Sequence, residues 1–207
     1  MKTRVGVLIS GRGSNMAALI AAAKAADYPA EVALVLSNDP EAGGLALAAE
    51  AGIATAAVDH RPYKRDRAAH EMALAHRLDA AGCEIVCLAG YMRLLTPLLV
   101  GRYAGRMLNI HPSLLPSFPG LDTHARAIAA GVKLHGCTVH LVTERMDEGP
   151  ILAQAAVPVL QSDDESTLAA RVLAQEHRLY PAALAAFARQ SSGVAAPARA
   201  ALSNPVA

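Results

Sequence analysis

Asn109 and His111, in the run Asn109-Ile110-His111-Pro112, are residue types that could do chemistry together. Residues two apart on a strand point to one side, about 6–7 Å from each other along the chain. An amide N–H₂ can donate to a developing oxyanion, and an imidazole can move or stabilise a proton, a combination suited to acyl transfer. A histidine after a strand is more often structural; the neighbouring amide and the proline-rich loop from Pro112 to Gly120 set this one apart. A working imidazole also wants a carboxylate to orient it and stabilise its protonated form. The charged turn Thr143-Glu144-Arg145-Met146-Asp147-Glu148-Gly149-Pro150 offers Glu144, Asp147 and Glu148, and spacing does not choose among them.

A second candidate lies near the start, at Gly11-Arg12-Gly13-Ser14-Asn15, between an apolar run and an Ala/Leu-rich segment. A helix N-terminus carries unpaired N–H groups and partial positive charge, so a glycine-rich turn leading into one suits a phosphate. Ser14 and Asn15 add side-chain donors. No Gly-Lys-Ser/Thr follows, and Asn15-Met16 replaces the last glycine of a dinucleotide fingerprint, so a mononucleotide-type phosphate site is the expectation. The remaining histidines, His60, His70, His76, His124, His135, His140 and His177, form no zinc motif, and no metal is expected.

The elements needed to hold these residues are legible as strand–turn–helix repeats. Strands are expected at 4–10, 31–36, 53–58, 84–89, 106–110, 137–143 and 151–159, from β-branched apolar runs. Helices are expected at 16–26 with a Ser14 or Asn15 cap, at 37–51 ended by Gly52, and at 66–81. A short one begins at Thr96-Pro97 and a long one spans 166–189. The first half alternates as parallel βαβ units do. Asn109 and His111 then fall at a strand's C-terminal end, where open α/β sheets place ligands. The tail, 190–207, is Ser, Pro, Gly and Ala and is expected to be disordered.

Composition limits the alternatives. A 53% hydrophobic content supports a core, and a net charge of +1 gives no reason to expect nucleic acid or an anionic membrane as partner. The apolar run at the N-terminus is too short to span a bilayer, and no small-residue cleavage site of a signal follows it. Three cysteines, Cys83, Cys87 and Cys137, are an odd number without metal spacing, which points to reduced, buried thiols and a cytoplasmic setting.

Taken together, the segments Val7-Leu8-Ile9-Ser10-Gly11-Arg12-Gly13-Ser14-Asn15, Leu88-Ala89-Gly90-Tyr91-Met92-Arg93 and Leu108-Asn109-Ile110-His111-Pro112-Ser113-Leu114-Leu115-Pro116 resemble the phosphoribosylglycinamide formyltransferases, a folate-dependent family. Asp147-Glu148-Gly149-Pro150-Ile151 and Gln175-Glu176-His177 extend the resemblance, which covers the chain from about Arg4 to Phe187. The Asn-Ile-His-Pro-Ser-Leu-Leu-Pro block is shared by the wider formyltransferase fold, and Ser-Gly-Arg-Gly-Ser-Asn points to this member. The resemblance implies an α/β, Rossmann-like fold: a mostly parallel central sheet flanked by helices, with an antiparallel portion in the C-terminal half. It implies one domain over 1–189, with a nucleotide-phosphate half at 1–100 and a catalytic and folate half at 101–189.

The implied reaction moves a formyl group from 10-formyltetrahydrofolate, as co-substrate, to the amine of glycinamide ribonucleotide in purine synthesis. The implied catalytic residues are Asn109, His111 and Asp147. Gly13, Ser14 and Asn15 would hold the substrate phosphate, and Glu176 another part of the nucleotide. Folate contacts are implied for Arg67, Met92, Arg93, Leu94, Leu95, Asn109, Thr143, Glu144, Arg145, Met146 and Asp147. No metal is required, and a monomer or homodimer acting on small molecules is expected. One position departs from the family, Leu173, where a glutamine is common near the nucleotide. Methionyl-tRNA formyltransferases and formyltetrahydrofolate deformylases are disfavoured by the expected length and ends. A non-catalytic nucleotide-binding module would use only the Gly11–Asn15 turn.

Overall fold

The computed structural model describes residues 1–191. The chain divides into two compact units, Met1–Asn109 and Ile110–Ala207. In the first, strands β1 (Thr3–Ile9), β2 (Ala30–Ser37), β3 (Thr55–Ala57), β4 (Ile85–Leu88) and β5 (Met107–His111) alternate with helices α1 (Ser14–Ala23), α2 (Gly43–Glu50), α3 (Arg67–Ala80) and α4 (Pro97–Arg102). Strand β5 carries its last two residues into the second unit.

Every strand pairing of the first unit is parallel: β1 with β2 and β4, β2 with β3, and β4 with β5. The chain steps outward from β1 through β2 to β3, then crosses to the other side of β1 for β4. That reversal makes the carboxyl ends of β1 and β4 a topological switch point, the usual ligand crevice of such sheets. Val5, Val7, Leu8, Ile9, Val86 and Cys87 are fully buried, as strands covered on both faces must be.

The second unit holds helix α5 (Thr123–Ala129), strands β6 (Leu134–Leu141) and β7 (Ile151–Pro158), and the long helix α6 (Glu165–Ser191). Strands β6 and β7 pair antiparallel, with a register shift at Val139/His140. Parallel pairing in the first unit and antiparallel pairing in the second match the expected fold class. Helix α6 lays a stripe of Leu168, Val172, Glu176, Tyr180 and Leu184 inward at four-residue spacing. One carboxylate therefore stands in an otherwise apolar row.

Several boundaries differ from expectation for local reasons. Neither Ser14 nor Asn15 caps α1: both lie in its first turn, and the N-cap is Gly13 in left-handed geometry with no side-chain cap. Ser37 to Pro40 does not open α2. Ser37 Oγ accepts from Asp39 N–H at 3.0 Å and Asp39 Oδ1 from Glu41 N–H at 3.0 Å, so these side chains build a turn and the helix waits until Gly43. Gly52 does end that segment, at φ 78. Strand β6 begins at Leu134 rather than Cys137, and β5 ends on His111 itself. Helix α5 is too short to present a periodic pattern and was not legible. Gln190 and Ser191 continue α6 instead of starting the tail, and 192–207 lie outside the described residues.

Candidate active site

The carboxyl edge of the first unit's parallel strands collects three of the sequence candidates. Strand β1 ends at Ile9 and passes through Ser10-Gly11-Arg12-Gly13 into α1. Gly13 adopts φ 72, ψ 31, a conformation that costs glycine little, and its carbonyl accepts from Ala17 N–H at 2.9 Å to start the helix. With no side chain capping α1, its first N–H groups point to whatever occupies the turn. The start of α2 packs against the same turn: Gly44 N–H donates to the Gly11 carbonyl at 3.0 Å, and a Cβ on Gly13 would lie 3.1 Å from Gly44 Cα. Two helix N-termini thus converge here, both favourable to an anion.

After β4, the Gly90–Leu95 segment leaves the same edge. Met92 and Leu94 are 68% and 61% exposed, which offers apolar surface beside a polar turn. Glu71, buried on α3, braces this segment by accepting from the N–H of Thr96 at 2.7 Å and of Leu99 at 3.3 Å. Arg93 lies close enough to His70 to reinforce the downward pKa shift that burial imposes on that imidazole. Arg67 is exposed at the first residue of α3, one turn before His70. Asn109 pairs with Leu88 in the parallel register and is half-buried at the end of β5.

His111, two residues on, belongs to the second unit and is the centre of a polar cluster there. Its Nε2 lies 3.1 Å from the Phe118 carbonyl, and its Nδ1 3.6 Å from Asp147 Oδ2. Because a carbonyl only accepts, Nε2 carries a hydrogen. Nδ1 then faces the Asp147 carboxylate. Asp147 is held in turn: Oδ2 accepts from Gly120 N–H at 2.8 Å, and the backbone sits at φ 58, where aspartate is tolerated better than most residues. Both side chains are 8% exposed, which limits solvent screening between them.

Of the three acidic residues in the turn, Asp147 is the one that reaches His111. Glu148 pairs instead with Arg145 at 3.3 Å on the surface, and Glu144 is exposed. Thr143 Oγ1 donates to the Arg145 carbonyl at 3.1 Å and tightens the turn from within. A cavity of about 800 Å³ opens beside it, walled by Leu115, Pro116 and Pro119 on one side and Arg145–Gly149 with Ile151 on the other. Met146, 56% exposed, is at its rim.

Sequence reasoning missed His140. It is buried, with Nδ1 3.0 Å from the Leu141 carbonyl and Nε2 3.8 Å from Asp147 Oδ1. Burial pushes its pKa down, against the opposing pull of the Leu141 carbonyl and Asp147, which favours the neutral imidazole at this position. Asp147 thus lies between two imidazoles, with His111 the nearer. Metal spacing does not single out position 140; its inward place on β6 is the available signal. Among the described residues no group of three or more His, Cys, Asp or Glu could hold a metal ion.

Glu176 is buried on α6 and close enough to Cys137 to add to the burial that pushes that thiol up to about 12. Cys83 is likewise raised to about 11 by burial, and all three cysteines are buried and outside any disulfide, as expected.

The formyl transferase family model matches residues 3–184. The chain belongs to the formyl transferase family. It is 47% identical to the phosphoribosylglycinamide formyltransferase of Escherichia coli (strain K12), over 88% of this chain and 85% of that protein. Among solved structures, phosphoribosylglycinamide formyltransferase from Brucella melitensis is 60% identical with a TM-score of 0.87, covering 91% of this chain and 96% of that one. Glycinamide ribonucleotide transformylase 1 from Symbiobacterium toebii is 48% identical with a TM-score of 0.88, covering 91% and 89%. Family membership accounts for the fold. Among the described residues no helix is long and apolar enough to cross a membrane.

Proposed function

We propose that this enzyme transfers the formyl group of 10-formyltetrahydrofolate to the primary amine of N1-(5-phosphoribosyl)glycinamide, in de novo purine biosynthesis. The observation that carries the reading is the His111–Asp147 pair, buried at the end of a strand that also presents Asn109. The amine attacks the formyl carbon, the carbonyl oxygen takes up negative charge, and the bond to the folate nitrogen then breaks. One proton leaves the amine and one arrives on that nitrogen, so the exchange balances without a metal or a redox step.

In this reading Asn109 donates to the oxyanion and the His111 imidazolium supplies positive charge beside it. Asp147, fixed by the Gly120 N–H, holds that charge in place. The α1 N-terminus at Gly13, Ser14 and Asn15 takes the ribonucleotide phosphate, supported by the two converging helix ends, and Glu176 serves another part of the nucleotide. Arg67, Met92, Arg93, Leu94, Leu95 and Asn109, with Thr143, Glu144, Arg145, Met146 and Asp147, serve the folate, whose apolar ring system suits the exposed Met92 and Leu94 and whose acidic tail suits the arginines. Leu173 cannot donate to phosphate, so no contact is assigned to it. We place the enzyme in the cytoplasm as a monomer or homodimer, with one domain over 1–189.

The test is formyl transfer to glycinamide ribonucleotide, followed by the absorbance change of the folate product. The native chain should turn over, and His111→Ala should lose about 10²–10⁴-fold in kcat while retaining the native melting temperature. Unchanged turnover in that variant would sink the mechanism.

A further inference from the structure

The phosphate turn and the Met92 segment are joined by a side chain that neither role uses. Ser10, between the last residue of β1 and Gly11, accepts from Met92 N–H through Oγ at 2.8 Å. The same hydroxyl donates to Asn38 Oδ1 at 2.5 Å, and Ser10 N–H donates to the Gly90 carbonyl at 3.2 Å. Asn38 is 5% exposed at the end of β2, and its own carbonyl accepts from His60 N–H at 3.1 Å and from His60 Nδ1 at 2.9 Å. One hydroxyl thus spans the crevice between β1 and β4, anchored behind by a buried amide.

We propose that Ser10 is a positioning residue that couples the two ligand turns. An anion seated on the Gly11–Asn15 turn fixes the backbone that carries Ser10, and the Ser10 hydroxyl then fixes Met92 N–H and the apolar surface of Met92 and Leu94. Binding of the phosphorylated substrate is in this way transmitted to the folate surface through two consecutive hydrogen-bonded groups of one residue. The hydroxyl is suited to this because it accepts and donates at once, which neither alanine nor a weakly bonding thiol does. The inference rests on the assignment of phosphate to Gly13–Asn15 and of folate to Met92–Leu95.

Calorimetric titration of the full chain with a non-reactive folate analogue, with and without saturating glycinamide ribonucleotide, tests it. In the native chain the ribonucleotide should tighten analogue binding by about fivefold or more, the lower end of ordinary coupling between sites. Ser10→Ala should reduce that factor to below about twofold, and Ser10→Thr should keep it. Ser10→Cys fills nearly the same space and should behave as Ser10→Ala, which separates the lost hydrogen bonds from a packing defect or failed folding. If both ligands bind and the coupling factor of Ser10→Ala and Ser10→Cys equals the native one, the coupling role is overturned and the functional reading stands. If neither ligand binds the native chain, both fall.

Discussion

In the Gly11–Asn15 turn, neighbours in sequence are neighbours in space, and the groups on offer are main-chain N–H donors at the end of a helix. In the His111 cluster, residues 111, 118, 120, 140 and 147 meet from one strand end, one proline-rich loop, a second strand and a charged turn. The first arrangement supplies diffuse, fixed partial charge that no titration can remove. The second supplies ionisable side chains whose arrangement depends on two loops keeping their shape. A binding function fits the former, since an anion needs only a complementary field. Transition-state stabilisation fits the latter, since charge must meet a developing oxyanion at one place.

The comparison predicts different kinetic signatures, and the largest belongs to Asp147. In Asp147→Asn the amide oxygen can still accept from Gly120 N–H, so the loop keeps its anchor while the charge beside His111 is lost. We expect kcat to fall by about 10²–10⁴-fold with little change in the KM for ribonucleotide or in melting temperature. A variant with native kcat would mean that the cluster works through shape alone, and the contrast between the two regions would disappear.

Gly13→Ala should give the opposite pattern with a smaller effect. Its φ of 72 is strained for alanine, at a cost of about 1–3 kcal/mol, and the new Cβ would sit 3.1 Å from Gly44 Cα and from Met16 Cε. Steady-state kinetics should show the KM for ribonucleotide rising by about tenfold or more, with kcat changed by less than about threefold. An equal loss in kcat would show that the turn also positions the reacting amine.

The two regions also differ in how far their residues announced them. Gly11–Asn15 could be found because glycine spacing and the flanking strand and helix patterns are local properties. The parallel strands were legible for the same reason, their buried runs being continuous. His111 was found through residue type and strand position, yet the choice of Asp147 over Glu144 and Glu148 needed the fold of the turn. Nothing in the residue type of Phe118 tells that it adopts φ 54 and turns its carbonyl toward His111. The Gly120 N–H is main chain and carries no sequence signal at all. His140 was visible as a residue but not as a neighbour, because its approach to Asp147 depends on the fold of the charged turn.

A pH scan sharpens the contrast by the smallest of these effects, through His135. This buried imidazole on β6 packs edge-on between Phe118, at 5.9 Å between ring centres, and His124, at 5.2 Å. Burial is the main cause of a pKa lowered from 6.5 to about 4, and the neighbouring His124 and His111 add to it. The unfolded chain therefore takes up this proton before the folded chain does. Its contribution to stability is whole above about pH 6.5 and is lost as pH falls toward about 4. His70, in the first unit, is shifted the same way by burial, but its Nε2 donates to the Val58 carbonyl at 2.9 Å, which opposes the shift. Melting temperatures between pH 7 and pH 4.5 should fall less steeply in His135→Phe than in the native chain, and His70→Phe should flatten the curve less. The native slope surviving in His135→Phe would mean that acid sensitivity does not come from this buried imidazole.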